Sequence, residues 1–318
     1  MMDDNKNGCP YHDTSGITEM DALDPRAREH PWLYSDWLRA APERAVYKLP
    51  QETAFYLLHR YEDVKTAFSD TERFSNKIIP TVKSPFFALM DGEEHRRIRA
   101  AVTGIFSPKN IRQWEPRFRQ NAGEATAALV AKKNAELFQA WAIPIPLGAL
   151  AYIFGLDSDP LALEKLHRQT IAINRALFVT GGTGPRRKGE PNAREKFAIS
   201  WALLQNIPRL VRLWRSVGTT GIRELGSMVR FARKDLETPR PNFEHIPAGL
   251  DALLDLMVTF TQKIKNAQNH PEQAALHALH LQVQKGELTT VEAVLAGVFI
   301  LFAGYETTAI LLSNCFVN

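Results

Sequence analysis

Apolar residues recur along most of the 318-residue chain with the three-to-four-residue spacing of amphipathic helices. Before residue 180 this spacing predicts six helices, over 31–38, 61–68, 91–104, 107–133, 141–154 and 161–178. Two short runs of β-forming residues, 46–49 and 55–58, flank a turn and predict a small hairpin. The sequence therefore predicts a mainly α-helical fold with one N-terminal β-hairpin.

The last element is predicted to be the longest helix. Thr289 and Glu292 form a capping-box pattern, and the helix is expected to run to about Asn314. Residues 291–312 are almost all apolar, so a membrane span is one interpretation. Glu306 in the middle argues against it, because a carboxylate near mid-bilayer costs several kcal/mol. A central helix of a large protein fits better.

One apolar loop is predicted before residue 91. Residues 76–90 contain two prolines and seven large apolar side chains. Loops normally face water, so a loop this apolar is expected to lie against a core or to line a pocket. The next helix is predicted to open with Asp91 as N-cap and Glu94 as its capping-box partner.

Composition and charge exclude several classes of protein. Apolar residues make up 45% of the chain and charged residues 23%, as in an ordinary globular protein, and the net charge of +4 gives no sign of nucleic-acid binding. Two cysteines without a CxxC pair form no disulfide framework. No basic start followed by an apolar run marks a signal peptide, so a cytoplasmic location is expected.

Charge is unevenly distributed along the chain. Residues 1–30 form a polar arm, and 180–250 is an atypical, basic helical and linker region. Eight basic residues fall within 201–240: Arg209, Arg212, Arg215, Arg223, Arg230, Arg233, Lys234 and Arg240. The stretch 207–234 is interpreted as a pair of amphipathic surface helices, with peripheral contact to anionic lipid or to a partner as the functional alternative.

Two groups of residues indicate chemistry. On the last helix, Ala303 and Gly304 are small, the Thr307 hydroxyl can bond the carbonyl of Ala303, and Glu306 is adjacent. Such a notch would admit a flat ligand and suits proton delivery, although a kinked core helix would show the same residues. His95 and Arg99 share one helical face and can grip two carboxylates, although a solvated basic face is the simpler interpretation.

These residues resemble a known family. The segment 303–308, Ala-Gly-Tyr-Glu-Thr-Thr, resembles the (A/G)-G-x-(D/E)-T-(T/S) motif in the central helix of cytochrome P450 haem-thiolate enzymes, and 285–292 is similar to the family's lead-in. His95 and Arg99 match its H/W-x-x-x-R pattern, which precedes a Phe-Ser/Thr-Pro segment, here residues 106–108. The resemblance covers about 20–155 and 285–312.

The resemblance implies a cytochrome P450-like helical fold and a bacterial-type monooxygenase. Such an enzyme inserts one oxygen atom from O2 into a hydrophobic small molecule, using haem b and electrons that come ultimately from NAD(P)H through a ferredoxin or a flavoprotein reductase. Glu306 and Thr307 would be catalytic, and Ala303 and Gly304 would let the haem approach. His95 and Arg99 would bind its propionates. A substrate pocket is expected from Ile78, Ile79, Val82, Phe86, Phe87, Leu177 and Phe178.

The sequence departs from the family after the central helix, which occupies 288–314. The family's downstream Glu-x-x-Arg pair and its Phe-x-x-Gly-x-x-x-Cys-x-Gly loop are not found in residues 1–318. Cys9 and Cys315 have the wrong surroundings, so no metal ligand is assigned. We expect one incomplete P450 domain over 1–318, C-terminally truncated and inactive alone. The alternatives are a non-catalytic remnant and a helical membrane-surface or partner-binding protein.

Overall fold

The computed structural model describes residues 31–48, 56–77, 86–132, 134–177, 192–235, 243–269 and 274–317. The chain divides into two compact units, one up to Ser75 and one from Asn76 onward. The predicted polar arm 1–30 lies outside the described residues, as do Ile78, Ile79, Val82 and Phe178.

The first unit contains the predicted hairpin. Its elements are α1 (Pro31–Arg39), β1 (Val46–Lys48), β2 (Tyr56–Leu58) and α2 (Tyr61–Ser69). The strands are antiparallel, with Val46 opposite Leu58. Trp37 of α1 packs edge-to-face on Tyr47 of β1, with ring centroids 5.4 Å apart, and so joins helix to hairpin.

The second unit is built from helices, as the apolar spacing predicts. In chain order they are α3 (Gly92–Thr103), α4 (Pro108–Val130), α5 (Pro144–Ile153), α6 (Pro160–Leu177), α7 (Ala193–Gln205), α8 (Ile207–Asp235), α9 (Ile246–Asn266), α10 (Ala274–Gln284) and α11 (Thr290–Val317). A π-helical turn, Phe138–Ala142, precedes α5. Helix α8 changes direction at Gly218, whose φ of 68° is not helical.

The predicted starts of α4 and α11 are confirmed. At α3 the predicted N-cap residue is in place, but the predicted capping bond is not formed. Ser107 caps α4 by accepting from the Asn110 N–H. At α11, Thr289 Oγ1 accepts from Glu292 N at 3.1 Å, and Glu292 Oε2 accepts from Thr289 N at 2.9 Å, which completes the capping box. Asp91 stands at the N-cap of α3 but makes no capping bond. Its carboxylate accepts from the Asn76 N–H instead, so it holds Asn76 beside the start of α3.

Helix α11 lies in the core of the second unit. It packs against α5, α8, α9 and α10. Gly297 allows the close approach of α9, because a Cβ there would lie 2.5 Å from the Phe260 ring. Residues 290–315 are long and apolar enough to cross a membrane, yet half of the most apolar stretch is buried inside the fold. These contacts agree with the central-helix prediction.

Candidate functional site

The two halves of α11 have different surroundings. From Val291 to Val298 every side chain is buried. Further along, Tyr305 and Ala309 remain buried on one side, while the opposite side is open. We call the side formed by Ala303, Thr307, Ile310 and Leu311 the open face of α11. Ile310 and Leu311 are 46% and 63% exposed, and Ala303 is half-buried.

Two threonine hydroxyls in this part of α11 form hydrogen bonds with backbone carbonyls of the preceding turn. Thr307 Oγ1 donates to the Ala303 carbonyl at 2.9 Å, and Thr308 Oγ1 donates to the Gly304 carbonyl at 2.8 Å. The Thr307 bond was predicted from the sequence. Because its proton is used in this bond, the Thr307 oxygen presents lone pairs outward. The open face is therefore an apolar surface that carries one accepting hydroxyl.

Gly304 has a packing role on the side that faces α5. A Cβ at this position would lie 3.2 Å from Leu150 Cδ1. The missing side chain thus lets α5 approach α11 closely. The small residue that lies on the open face is Ala303, one position earlier.

Glu306 is held by a residue that the sequence did not single out. Asn174 Nδ2 of α6 donates a hydrogen bond to Glu306 Oε2. Glu306 is half-buried, one residue before Thr307 and one turn after Phe302. The amide therefore fixes the carboxylate at the border between the core and the open face.

The Asn174 bond belongs to a larger polar contact between α6 and α11. Thr170 Oγ1 lies 2.8 Å from Tyr305 Oη, and His167 Nδ1 lies 3.2 Å from the same oxygen. Burial raises the pKa of Tyr305 and lowers the pKa of His167, so both groups are favoured in their neutral forms. His167, Thr170 and Asn174 follow at helical spacing on one face of α6. The signal in the sequence was the helical spacing of these three polar residues.

The described part of the predicted pocket lies beside the open face. Phe86 packs against Phe299 at a tilt and edge-to-face on Phe302 of α11, with ring centroids 5.6 and 5.5 Å apart. Phe87 packs edge-to-face on Phe299 at 5.1 Å. Phe302 directly precedes Ala303, so the described end of the apolar loop lies against the core beside the motif. Phe86 is buried and Phe87 half-buried; Leu177 is the last residue of α6.

His95 and Arg99 lie on α3, half-buried and exposed respectively. Among the described residues, neither side chain has an ion pair or a hydrogen bond to a protein group. The residue between them behaves differently. Arg97 makes a forked pair with Glu292 of α11, at 3.1 and 2.5 Å, and also donates to the Glu287 carbonyl. The hydrogen bond from Glu292 raises the pKa of Arg97.

Arg97 therefore fastens α3 to the first turn of α11. Glu292 and Thr307 are 15 positions apart, which is about 22 Å along the helix axis. Within the described ranges, no hydrogen bond or ion pair joins His95 or Arg99 to residues 303–307. The structure brings Ala303, Glu306, Thr307 and the Phe86 segment together directly. Helix α3 contacts the turn Phe87–Leu89 directly and is joined to the first turn of α11 by Arg97.

A well-formed cleft lies elsewhere in the second unit. It measures about 440 Å³ and is formed by α4, α5 and α6, with Arg117, Asn121 and Glu164 among its polar lining. His167 lines this cleft and also contacts Tyr305. Within the described residues, no three His, Cys, Asp or Glu side chains form a group that could hold a metal ion. Cys315 is exposed and lies on α11, and Cys9 lies outside the described residues.

Several curated proteins are similar to this sequence over part of their length. No protein-family profile matches the chain. A β-dihydromenaquinone-9 omega-hydroxylase of Mycobacterium bovis is 26% identical over 170 residues, which is 52% of this chain and 34% of that protein. Cytochrome P450 GfsF of Streptomyces halstedii is 24% identical over 306 residues, or 95% of this chain and 55% of the relative. The chain thus spans between about a third and just over half of these relatives.

Solved structures match over nearly the whole chain. CalO2 is similar with a TM-score of 0.65 and 17% identity, over 95% of this chain and 62% of that one. P450BioI, solved with an acyl carrier protein that carries hexadec-9Z-enoic acid, has a TM-score of 0.61 and 19% identity, over 92% and 62%. Likeness at this level of identity shows a shared fold.

Proposed function

We propose that this chain, a relative of bacterial cytochromes P450 with the cytochrome P450 fold, is the oxygen-activating part of a haem monooxygenase. The enzyme would insert one oxygen atom from O2 into a hydrophobic small molecule. The observation that carries this proposal is the open face of α11, where Thr307 stands in an apolar surface beside a carboxylate held in place by Asn174. We infer that residues 1–318 belong to one P450 domain.

The residues present fit a haem group. A porphyrin has a flat apolar ring and two carboxylates at its edge. The open face offers small Ala303 with exposed Ile310 and Leu311 for the ring. His95 and Arg99 offer donors on one side of α3, without an ion pair to any described residue, for the propionates. Haem b supplies the reduction of dioxygen and the oxidation of a C–H bond when it is bound.

Thr307 and Glu306 have separable roles in this proposal. The Thr307 oxygen accepts a hydrogen bond from a group placed on the open face, because its own proton is used at Ala303. To donate outward it must release that carbonyl, at a cost of about 1 kcal/mol. Glu306 exchanges protons with water and passes them toward Thr307, and Asn174 holds it in the position to do so. Phe86 and Phe87 line the substrate side of the face.

The cysteine thiolate that would hold the haem iron is not assigned to any described residue. Cys315 is exposed and lies on α11, the same helix as Thr307. We propose that another part of the enzyme supplies the thiolate and that this chain is inactive without it. Electrons would come from NAD(P)H through a ferredoxin or a flavoprotein reductase, in the cytoplasm.

The test is haem reconstitution followed by a carbon monoxide difference spectrum. The enzyme that contains this chain is expected to give a thiolate-type Soret band, and the 318-residue chain by itself is expected to give none. A thiolate-type band from the chain alone would contradict the assignment of the ligand. If the complete enzyme binds no haem, the chain belongs to a non-catalytic remnant, which is the second candidate.

Asn174 provides a sharper test of the proton path. Asn174→Leu leaves the Glu306 carboxylate without its hydrogen-bond donor, so we expect product formation per electron to fall in the haem-loaded enzyme. Asn174→Gln, which keeps an amide, should recover part of the loss. Equal coupling in both variants would contradict a positioning role for Asn174.

A further inference from the structure

We propose that α7 and the first half of α8 form a surface that binds anionic lipid headgroups. This surface combines exposed aromatic side chains with exposed arginines on adjoining helices. It lies apart from the open face of α11, and the proposal stands independently of the proposed enzymatic function.

Helix α7 exposes its largest apolar side chains. Phe197, Trp201 and Leu204 follow at positions i, i+4 and i+7, and they are 69%, 51% and 57% exposed. The rings of Phe197 and Trp201 stack with centroids 6.3 Å apart and planes within 12°. We call these three residues the outer stripe of α7. The side of α7 toward the core carries Ala202 and Asn206, which are small or polar.

This arrangement differs from that of an ordinary amphipathic helix. A surface helix normally buries its large apolar residues and exposes its polar ones. In α7 the buried residue is Ala202 and Ile199 is half-buried, while Asn206 follows the helix and donates to the Ala202 carbonyl at 2.9 Å. The outer stripe is therefore not needed for packing against the rest of the described chain. An exposed apolar stripe of this kind is typical of a surface that contacts a membrane or another molecule.

Helix α8 continues the surface with positive charge. Ile207 and Trp214 are 48% and 53% exposed, and Leu213 is the inward anchor at 1%. Arg212 and Arg215 are exposed on the outward side. Arg209, in contrast, turns inward and pairs with Asp251 and Asp255 of α9. Within the described residues, Arg212 and Arg215 have no acidic partner.

Charge complementarity identifies the occupant. Aromatic residues with arginines around them match a bilayer surface, where rings insert at the headgroup level and arginines meet anionic phosphates. A second copy of the chain fits less well, because this surface carries exposed arginines and would present the same positive charge to itself. The observations therefore favour anionic lipid over self-association.

Vesicle flotation tests this directly with the full 318-residue chain. The probes are phosphatidylcholine vesicles with and without about 40 mol % phosphatidylglycerol. We expect flotation with the anionic vesicles, little with the neutral ones, and release when NaCl rises from about 0.05 to 0.5 M. Quenching of tryptophan fluorescence by brominated lipid should fall in the Trp201→Phe/Trp214→Phe variant.

Two double variants separate the contributions of charge and apolar area. Each arginine near an anionic surface is worth about fivefold in partition, so Arg212→Glu/Arg215→Glu should lower it by about 25-fold or more. Trp201→Ser/Trp214→Ser should lower it to a similar extent. Lys109→Glu/Arg112→Glu on α4 reverses two exposed charges elsewhere and should leave lipid binding within about twofold.

Three results would overturn the proposal. One is no flotation with anionic vesicles by a chain whose circular dichroism shows it folded. Another is equal loss of binding in the α4 control. The third is concentration-dependent dimerisation that Trp201→Ser/Trp214→Ser abolishes while lipid binding is unchanged, which would assign the surface to a second copy.

Discussion

The open face of α11 and the outer stripe of α7 are both exposed apolar surfaces on helices of the same unit. Around the first, the polar groups are a hydroxyl and a carboxylate, each held by a hydrogen bond within the protein. Beside the second, the polar groups are arginines without a described acidic partner. Apolar area alone does not distinguish the two surfaces.

We infer from this difference that the polar groups beside an exposed apolar surface identify the ligand of that surface. Held hydroxyl and carboxylate groups can orient and protonate one small molecule, which requires fixed geometry. Arginines that have no acidic partner among the described residues suit a diffuse, negatively charged surface. Each surface therefore has its own ligand, and a variant at one surface should leave ligand binding at the other unaffected.

The largest effect is expected at Thr307. Thr307→Ala removes the accepting hydroxyl from the open face, and loss of a positioned proton-transfer group costs about 10²-fold in rate. In the haem-loaded enzyme we expect product per electron consumed to fall sharply. Thr308→Ala is the matched control, because Thr308 makes the same bond one residue later. Equal effects of the two substitutions would show that helix geometry, not the Thr307 hydroxyl, matters.

The next largest effect is expected on the stability of the chain, through the Arg97–Glu292 ion pair that joins α3 to α11. Arg97→Leu leaves the Glu292 carboxylate, which is 9% exposed, without its forked partner. Breaking a buried pair costs about 3–5 kcal/mol, and partial exposure of Arg97 reduces this to about 2 kcal/mol. Urea denaturation should show the lower free energy of unfolding. Arg112→Leu is the control, and an equal loss there would argue against a structural role for the pair.

A crossed comparison separates the two surfaces. Leu311→Ser removes apolar area from the open face and should weaken binding of iron-free protoporphyrin IX about fivefold, or about 1 kcal/mol. Trp201→Ser should leave porphyrin affinity unchanged and weaken vesicle binding. Both residues are exposed, so we expect thermal stability to change little. If either variant impairs both ligands equally, the two surfaces are not independent.

The smallest effect is a pH dependence at His167. Burial lowers its pKa in the folded chain below the ordinary value of 6.5, so the unfolded chain binds more protons between the two values. The stabilisation is complete above about pH 6.5 and is lost as the pH falls through that window. In the His167→Asn variant, the melting temperature should change less between pH 7 and pH 5 than it does in the unaltered chain. If the melting temperature of the variant depends on pH as strongly as that of the unaltered chain, another group is responsible for the dependence.

Much of the fold follows from local sequence. The hairpin, the starts of α4 and α11 and the length of α11 depend on spacing and capping residues that lie within a few positions of one another. Asp91 shows where this reasoning fails. Its position predicts a cap, but a backbone N–H 15 residues earlier competes for the same carboxylate. Competition between distant groups is not visible in a local pattern.

The site was predictable in part for the same reason. Ala303, Glu306 and Thr307 are adjacent in sequence, and the Thr307 bond follows from helix geometry alone. Asn174 and His167 were missed, because they meet α11 from positions more than 130 residues away. The outer stripe of α7 also needed the structure. Spacing marks an amphipathic helix but does not say which side faces the core.

Iron-free protoporphyrin IX provides the most direct test, because it carries the ring and the propionates but needs no axial ligand. We expect saturable one-to-one binding to the 318-residue chain by fluorescence titration. Arg99→Leu should weaken it several-fold, since a charged hydrogen bond is worth about 1.5–3 kcal/mol, while Arg112→Leu should not. Binding that is absent, or equally strong in Arg99→Leu and in the unaltered chain, would contradict a haem surface shared by α3 and α11.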